Sequence, residues 1–180
     1  MSPNRISDKY SIPRKSWGYR RNMAMADVMS MAELIENLAS TVSCGGNLLM
    51  NIGPNRDGII EPIFEERLRG MGDWLRVNGE AIYGSSPWTC QNDTVTSGVW
   101  YTKNTDRVYA ILLKWTPHIE LGCVRPADGM VLSLLGVDGT LKWREVKEAE
   151  RRHISAQMPP RSLVKTDWAW VIHIQYIQIP

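Results

Sequence analysis

The spacing of apolar residues changes near residues 83–87, from a helical period before them to a stranded period after them. Before the change, Ser30 and Glu33 have the spacing of a capping box, in which each residue satisfies a backbone N–H of the other. Apolar residues then recur at helical spacing, and Gly45 supplies a stop signal. The pattern predicts a helix over about 31–44.

A short apolar run at 47–51 lies between glycines and is typical of a buried parallel strand. Pro62 then stands where the first turn of a helix tolerates proline, and a second apolar stripe ends at Asn78. The order helix, buried strand, helix predicts part of a βα repeat.

From Val99 onward, short apolar runs are separated by turn residues, which predicts strands and hairpins. The last run alternates, with Trp168, Trp170, Ile172, Ile174 and Tyr176 on one face and Val171, His173, Gln175 and Ile177 on the other. Regular turns without helical segments favour an antiparallel sandwich. The charged stretch 147–152 predicts a solvated loop.

Composition and charge exclude several classes of protein. The 180 residues are 43% hydrophobic, which is too much for a disordered chain, and the net charge of +2 excludes a strongly basic nucleic-acid binder. No apolar run is long enough to span a bilayer, and the first residues lack the apolar core of a signal peptide, so we expect a soluble chain. One or two small domains fit this length, but a complete (β/α)₈ barrel of about 250 residues does not.

The aromatic residues are eight Trp, six Tyr and one Phe. Trp and Tyr stack on sugar faces and also fill β cores; composition favours core packing. The three cysteines are too few for a disulfide framework, and at least one is unpaired within the chain. Cys44 falls in the first helix and is interpreted as a reduced core residue. No Cys-x-x-Cys or His cluster indicates a metal site, and the single histidines are interpreted as surface or strand residues, with His118 in a turn and His153 in the charged loop.

The C-terminal end of the strand at 47–51 is the first candidate site, because this end of a strand carries the chemistry in α/β folds. Asn47 and Asn51 are candidates for hydrogen bonds to a polar ligand, and Asp57 is a candidate catalytic carboxylate. The alternative is a turn in which the Asp57 side chain caps its own backbone. The turn is favoured for Asp57, because nothing nearby supplies a second carboxylate or base.

Residues 16–21, Ser-Trp-Gly-Tyr-Arg-Arg, bring together two aromatic rings and two guanidinium groups. Such a loop either stacks Trp17 and Tyr19 on a sugar or packs against the protein with a solvated basic end; residue types alone leave both open. Asn92 begins an Asn-Asp-Thr sequon for N-glycosylation in a predicted loop, which gives weak support for a secretory or lysosomal history.

These residues carry a resemblance to a known family. The sequence resembles the carboxy-terminal part of animal α-L-fucosidases, and the plasma type in particular through 91–96 and 99–102. The strongest motif is 42–54, Val-Ser-Cys-Gly-Gly-Asn-Leu-Leu-Met-Asn-Ile-Gly-Pro; further motifs lie at 16–21, 64–68, 74–75 and 78–83. The resemblance implies three regions: a divergent segment over 1–15, the end of a catalytic TIM-like barrel over 16–85 and a β-sandwich over 86–180.

The family resemblance implies a retaining glycoside hydrolase that removes terminal α-L-fucose from glycans without a metal or other cofactor. Retention requires two carboxyl groups about 5 to 5.5 Å apart. In the family both precede the Ser-Trp-Gly-Tyr motif, the acid/base glutamate directly after a tryptophan. No glutamate precedes Glu33 here, so both catalytic carboxylates are expected to be missing and the chain alone inactive. Trp17, Tyr19, Asn47 and Asn51 are then expected to border the fucose pocket.

The resemblance also implies a secreted or lysosomal location, fucosylated glycans as partners and a homo-oligomer for the full-length enzyme, with no nucleic acid and no membrane span. A different hypothesis is that the Trp-rich sandwich is a non-catalytic module that binds carbohydrate or supports the barrel. Buried Trp side chains favour support, and Trp168 and Trp170 at alternate positions suit one inward face. A truncated barrel would leave an unpaired strand edge and exposed apolar faces.

Overall fold

The computed structural model describes residues 7–14, 16–148 and 151–176. It contains two α-helices, α1 (Met31–Ser43) and α2 (Pro62–Asn78). The strands are β1 (Ser7–Ser11), β2 (Asn47–Asn51), β3 (Ser86–Asn92), β4 (Val99–Asn104), β5 (Arg107–Leu112), β6 (His118–Leu121), β7 (Met130–Leu134), β8 (Trp143–Glu148), β9 (Arg151–Gln157) and β10 (Trp170–Tyr176).

Both predicted helices are confirmed with their end signals. The Ser30 hydroxyl accepts the Glu33 N–H, and the Glu33 carboxylate accepts the Ser30 N–H at 2.8 Å, so the capping box at the start of α1 is complete. Gly45 follows α1 with φ +82°, a conformation that glycine adopts without steric cost. Pro62 is the first residue of α2, where its missing N–H removes no helical hydrogen bond.

The predicted strand at 47–51 is present, but its expected burial is wrong. β2 pairs in parallel with β1, with Ser7 opposite Asn47 and Ser11 opposite Asn51. β1 is its single strand partner among the described residues, so part of β2 faces solvent and Leu49 is 49% exposed. The polar sequence of β1, Ser-Asp-Lys-Tyr-Ser, has no apolar alternation and predicts no strand.

The remaining strands form two antiparallel sheets, which confirms the sandwich. The larger sheet has the order β3-β4-β5-β10-β7 and the smaller one the order β6-β9-β8. Their facing sides enclose one apolar cluster, to which the larger sheet contributes Ala110 and Leu112 and the smaller sheet contributes Ile154. A second cluster fills the space between the helices and the other face of the larger sheet. The larger sheet is therefore the middle of three layers.

β10 contributes to both clusters, as its alternating pattern predicts. Trp170, Ile172 and Ile174 point into the sandwich core, while Val171 packs toward the helices. Trp168 does not continue the inward face: it lies before the strand at φ +70° and is 37% exposed. The positive φ turns the backbone away from the strand direction. Ile177 lies outside the described residues.

The described residues of the charged stretch 147–152 lie in strands, so the predicted loop is wrong for them. β8 continues to Glu148 and β9 begins at Arg151, and Arg152 forms an ion pair with Glu145. His153 is consequently on β9 and buried, and His118 begins β6 rather than lying in a turn. Alternating charges suit the exposed side of a strand as well as they suit a loop, so charge alone did not distinguish the two.

The cysteines divide into one disulfide and one free thiol. Cys90 of β3 is bonded to Cys123, which follows β6, and the bond links the two sheets. Cys44 is exposed, so its interpretation as a core residue is wrong. It is the C-cap of α1, one position past the stripe that faces the core.

The Trp side chains mainly fill cores. Trp88, Trp115, Trp143 and Trp170 belong to or pack against the sandwich core, Trp100 packs against the helix-side cluster, and Trp74 is 1% exposed. Across the described residues, no helix is long and apolar enough to cross a membrane. They also contain no group of three or more His, Cys, Asp or Glu side chains arranged to hold a metal ion.

Candidate functional site

The C-terminal ends of β1 and β2 support the aromatic loop at residues 16–20. The Asn51 side-chain amide donates to the Trp17 carbonyl and also to the Ser11 hydroxyl, 3.3 Å away. One side chain at the end of β2 thus joins the loop to the end of β1. This contact fixes the backbone on which Trp17 stands.

Gly53 brings the same loop against the chain that leaves β2. A Cβ placed on Gly53 would lie 2.9 Å from the Gly18 carbonyl carbon and still closer to the Tyr19 backbone nitrogen. Real Cβ atoms do not approach backbone this closely, so only glycine permits the packing. The Gly53 position therefore determines where Tyr19 sits.

The loop holds its aromatic side chains outward. The Ser16 hydroxyl donates to the Gly18 carbonyl at 2.7 Å and accepts the Gly18 N–H at 3.2 Å, which closes a tight turn around Trp17. Trp17 is 52% exposed and Tyr19 36% exposed. Their rings are thus available for stacking on a ligand, as one of the two sequence interpretations requires.

Two hollows flank Tyr19. One, of about 320 Å³, is lined by Tyr19, Arg21, Asn55, Arg56 and Asp57. The other, of about 240 Å³, extends toward Met25 and Glu61. The two arginines at the end of the loop have different surroundings. Arg20 forms an ion pair with Asp27 at 3.0 Å, whereas Arg21 lines both hollows.

Asp57 lies in the turn that was favoured for it, but it does not cap that turn. The Asn55 side-chain oxygen accepts the N–H groups of Asp57 and Ile59, each at 3.0 Å, and Gly58 has φ +77°. The Asp57 carboxylate is 3.7 Å from Arg56 in an exposed pair. It is the single acidic residue that lines the 320 Å³ hollow among the described residues, so this hollow offers no carboxyl pair.

Asn47 is not brought to this site. It is the first residue of β2 and Asn51 is the last, so the two are about 13 Å apart along the strand. Asn47 lines a different cavity, of about 610 Å³, together with Gly45, Tyr83 and Pro87. The sequence motif contains both asparagines, but the direction of the strand separates them.

Sequence reasoning gave no role at the site to Ser11, Gly53 or Asn55, whereas Arg21 was part of the candidate loop at 16–21. Gly53 lies within the motif at 42–54 that carries the family resemblance, and Asn55 lies between that motif and Asp57. The close approach of Gly53 to Tyr19 joins positions 34 residues apart, which no local pattern reveals. Asn55 was findable, since an Asn two residues before an Asp-Gly pair is a common turn cap.

The sequon lies at the end of β3 beside a buried carboxylate. Asn92 is exposed, and its side-chain amide donates to the Val99 carbonyl at 3.3 Å. Asp93 is buried and accepts four hydrogen bonds: from the Val95 and Thr96 N–H groups, from the Tyr101 hydroxyl at 2.6 Å and from the Cys123 N–H. Burial, and then the adjacent Asp93 charge, raise the pKa of the Tyr101 hydroxyl.

Comparisons with known proteins match both parts of the fold. The family model described as alpha-L-fucosidase matches residues 2–80, and the model of the alpha-L-fucosidase C-terminal domain matches residues 91–175. The chain belongs to the α-L-fucosidase family. The first match begins at residue 2, whereas the sequence motifs carried the resemblance only from Ser16.

Relatives of this α-L-fucosidase chain are found among animals. It is 51% identical over 169 residues to an alpha-L-fucosidase of Branchiostoma floridae, and this match covers 92% of the chain and 37% of the relative. It is 45% identical to the human tissue alpha-L-fucosidase and 43% identical to the human plasma alpha-L-fucosidase. These values do not separate the tissue and plasma types, so the closer likeness to the plasma type stays a prediction.

The fold is shared with a solved bacterial relative. The chain superposes on the Thermotoga maritima alpha-fucosidase in complex with a mechanism-based inhibitor, with a TM-score of 0.81 and 27% identity over 93% of the chain and 39% of that protein. The same enzyme in complex with fucose gives a TM-score of 0.79 at 29% identity. The chain thus spans somewhat more than a third of the length of the relatives it matches.

Proposed function

We propose that this chain is the C-terminal part of a retaining α-L-fucosidase, which hydrolyses terminal α-L-fucose from glycoproteins, glycolipids and oligosaccharides. The observation that carries the proposal is the aromatic loop held by Asn51 and Gly53 at the C-terminal ends of two parallel strands. This end of parallel strands is where α/β barrels bind substrate. Family membership and the fucose complex of the Thermotoga relative give the sugar.

The structure supports different roles for the residues expected at the pocket. Trp17 and Tyr19 present exposed rings that suit the apolar faces of a sugar. Asn51 is a positioning residue, because its amide already donates to Trp17 and Ser11. Asn47, at the opposite end of β2, is not included in the proposed pocket.

We further propose that the 180-residue chain alone does not turn over fucosides. A retaining mechanism needs a nucleophile and an acid/base group about 5 to 5.5 Å apart. The 320 Å³ hollow beside Tyr19 contains Asp57 and no second acidic residue among the described residues, and Glu61 lines the separate 240 Å³ hollow, so neither hollow brings two carboxyl groups together. Neither carboxyl group of a catalytic pair is therefore assigned in this chain, and its proposed part in the reaction is to bind and orient fucose.

The test compares the chain alone with a chimera. In the chimera, this chain replaces the matching C-terminal segment of the Branchiostoma relative, and the part of the relative that precedes that segment is kept. We expect hydrolysis of an aryl α-L-fucoside by the chimera and none by the chain. Trp17→Ala in the chimera should lower kcat/KM, because a ring that stacks on the sugar is lost. Trp168→Ala, at an exposed Trp outside the site, is the matched control and should leave kcat/KM unchanged.

Two outcomes would contradict these proposals. Turnover by the chain alone that disappears in the Asp57→Ala variant would make Asp57 a catalytic carboxylate. A folded chimera that binds no fucose, in a titration followed by Trp fluorescence, would remove the proposed function itself.

Location and assembly are also proposals. A secreted or lysosomal location is supported by the names of the tissue and plasma relatives, by the Cys90–Cys123 disulfide and by the exposed sequon at Asn92. Secretion from animal cells, with a mobility shift that peptide N-glycosidase and Asn92→Gln both abolish, would test it. Light scattering on the chimera would test the expected homo-oligomer.

For the sandwich, a supporting role is favoured over carbohydrate binding through its Trp residues. Trp88, Trp115, Trp143 and Trp170 pack against the sandwich core rather than forming an exposed platform. Trp74 of α2 donates to the Ala169 carbonyl at 2.9 Å, so the sandwich is joined directly to the helix layer. The sandwich thereby positions the helices that lie beside β2.

A further inference from the structure

The hollow of about 320 Å³ beside Tyr19 lies between two parts of the chain that are each held by internal contacts. On one side, the close packing of Gly53 against the loop backbone determines the position of Tyr19. On the other side is a turn closed by two backbone hydrogen bonds, from the Asn55 N–H to the Ile59 carbonyl at 2.9 Å and from the Gly58 N–H to the Asn55 carbonyl at 3.0 Å. A hollow with walls held in this way loses little freedom when a ligand binds.

The lining of this hollow is polar apart from one aromatic ring. Its residues are Tyr19, Arg21, Asn55, Arg56 and Asp57. An aromatic ring beside a few polar groups suits a sugar, because the ring packs against C–H groups while the polar side chains bind hydroxyls. The volume of about 320 Å³ is at the lower end for small-molecule pockets and suits one sugar ring rather than a long oligosaccharide.

The charged side chains of the hollow offer both hydrogen-bond donors and an acceptor. Arg21 is exposed and forms no ion pair or hydrogen bond with the described residues, so its guanidinium N–H groups are free to donate. Arg56 lies 3.7 Å from the Asp57 carboxylate, so their charges balance while donors and acceptor stay side by side. A sugar hydroxyl both donates and accepts, and a ring with several hydroxyls therefore matches this set of groups.

The other hollow, of about 240 Å³, is a poorer match for a sugar. Apart from Arg21, which both hollows share, its charged side chains already have partners: Arg20 pairs with Asp27 at 3.0 Å, and Glu61 accepts a hydrogen bond from the Asn55 side-chain amide at 3.3 Å. Several of its remaining lining residues are apolar, namely Met23, Met25, Val28 and Ile63. The polar hollow of about 320 Å³ is therefore the one that suits a hydroxylated ring.

We propose that the 320 Å³ hollow binds the sugar to which fucose is attached, and that Arg21 is a specificity-determining residue for it; the inference rests on the proposed function. Tyr19 belongs both to the aromatic loop, where fucose is proposed to stack, and to this hollow. A sugar in the hollow therefore lies next to fucose, as the leaving sugar must. Arg21 and the Arg56–Asp57 pair bind its hydroxyls, so the hollow favours fucose that is carried by a sugar.

The test uses the chimera with the Branchiostoma relative and two substrates that differ in the leaving group. In α-L-fucosyl-(1→2)-galactose the leaving group is a sugar, whereas in α-L-fucosyl fluoride it has no ring and does not enter the hollow. Arg21→Gln should lower kcat/KM for the disaccharide about tenfold, because a hydrogen bond from a charged group is lost. The loss for the fluoride should be about twofold or less, because fucose itself keeps its contacts.

Two further variants separate the hollow from general surface charge. Asp57→Ala in the chimera removes the acceptor and should lower kcat/KM for the disaccharide about threefold, with a smaller loss for the fluoride. Arg144→Gln is the matched control, because Arg144 is an exposed arginine on β8 of the sandwich. It removes the same charge outside the hollow and should leave kcat/KM for both substrates unchanged.

Three results would overturn the inference: an equal loss for the disaccharide and the fluoride in Arg21→Gln, which would place Arg21 at fucose itself; no loss for the disaccharide; or an equal loss in Arg144→Gln. In each of these cases the chimera still hydrolyses the fluoride, so the proposed function stands. A folded chimera that hydrolyses neither substrate would instead contradict the proposed function, and this inference with it.

Discussion

β2 and β10 are both apolar strands, yet the structure uses them in opposite ways. β10 lies between β5 and β7 and packs on both faces, so its aliphatic residues Val171, Ile172 and Ile174 are fully buried. β2 has one strand neighbour in the described chain, and Leu49 is half exposed. We call residues 7–85 the α/β segment and residues 86–176 the sandwich.

The difference shows that burial follows from the number of neighbours rather than from the composition of a strand. In the sandwich, each of the two sheets covers the apolar face of the other, around one core. The core of the α/β segment is completed by the sandwich: its helices pack against Tyr109, Ile111 and Val171 of the larger sheet and against Ala169, which precedes β10. The α/β segment is therefore expected to depend on the sandwich more than the sandwich depends on it.

The largest expected effect comes from weakening the contact between α2 and the sandwich. Trp74→Ala removes a buried ring and the hydrogen bond from its Nε1 to the Ala169 carbonyl. We expect it to lower the free energy of unfolding by about 3–5 kcal/mol in urea denaturation. Trp74→Phe should cost less, since it keeps an aromatic ring, and the exposed Trp168→Ala should cost little. Equal losses in Trp74→Ala and Trp168→Ala would show that the connection contributes nothing.

Removing the disulfide tests the sandwich alone. The Cys90–Cys123 bond closes a loop with a sequence separation of 33 residues. Cys90→Ser with Cys123→Ser should lower the free energy of unfolding by about 3–4 kcal/mol, because the unfolded chain gains entropy. The measurement is guanidinium denaturation without reductant. Cys44→Ser, at the exposed free cysteine, is the control; an equal loss there would refute the explanation.

A smaller effect is expected where the aromatic loop meets β2. Gly53→Ala places a Cβ against the Gly18 and Tyr19 backbone, so the loop must move, at a cost of about 1–3 kcal/mol. Acrylamide quenching should show altered exposure of Trp17. Gly72→Ala in α2 meets nothing within 4 Å and should stabilise the helix by about 0.5–1 kcal/mol. Unchanged quenching in Gly53→Ala would mean that Gly53 does not position the loop.

The smallest effect concerns the start of α1. Hydrogen bonds from Arg14 and then from Ser30 lower the pKa of Glu33 to about 2, from an ordinary value of 4.5. The pair is about 35–40% exposed, so solvent screening limits its contribution to less than about 1 kcal/mol. Because the folded-state pKa is the lower one, this stability is present above pH 4.5 and is lost as the pH falls toward 2.

Glu33→Gln should therefore reduce stability at pH 7 and flatten its dependence on pH between 4.5 and 2, as measured by urea denaturation at several pH values. Glu36→Gln on the same helix is the matched control, since Glu36 forms no ion pair with the described residues. An unchanged pH dependence in Glu33→Gln would contradict this assignment.

Local signals predicted the elements that are determined locally. The capping box at Ser30 and Glu33, the Gly45 stop and Pro62 define helix ends within a few residues of sequence, and the structure has them. β1 was missed because its polar sequence is held by backbone pairing to β2 across forty residues. The pattern at 47–51 indicated the strand but not its surroundings, which depend on neighbours.

The candidate site was predicted only in part, because contacts between residues distant in the sequence bring its side chains together. Trp17, Tyr19 and Asn51 come together because the loop folds onto the end of β2. Asn47 belongs to the same motif but lies at the other end, since a strand carries residues away from each other at about 3.3 Å per step. The disulfide pairing likewise depends on how the two sheets face each other, which cysteine spacing alone does not specify.

The place of β10 in the larger sheet has a consequence for biosynthesis. It is the last strand of the described chain, yet it lies between β5 and β7, which both emerge earlier from the ribosome. The edges of β5 and β7 that pair with β10 therefore stay unpaired until residues 170–176 have been translated and have left the ribosome. A premature stop before Trp170 would thus leave a gap in the middle of the sheet rather than a shortened end, and its product would be a substrate for cellular quality control.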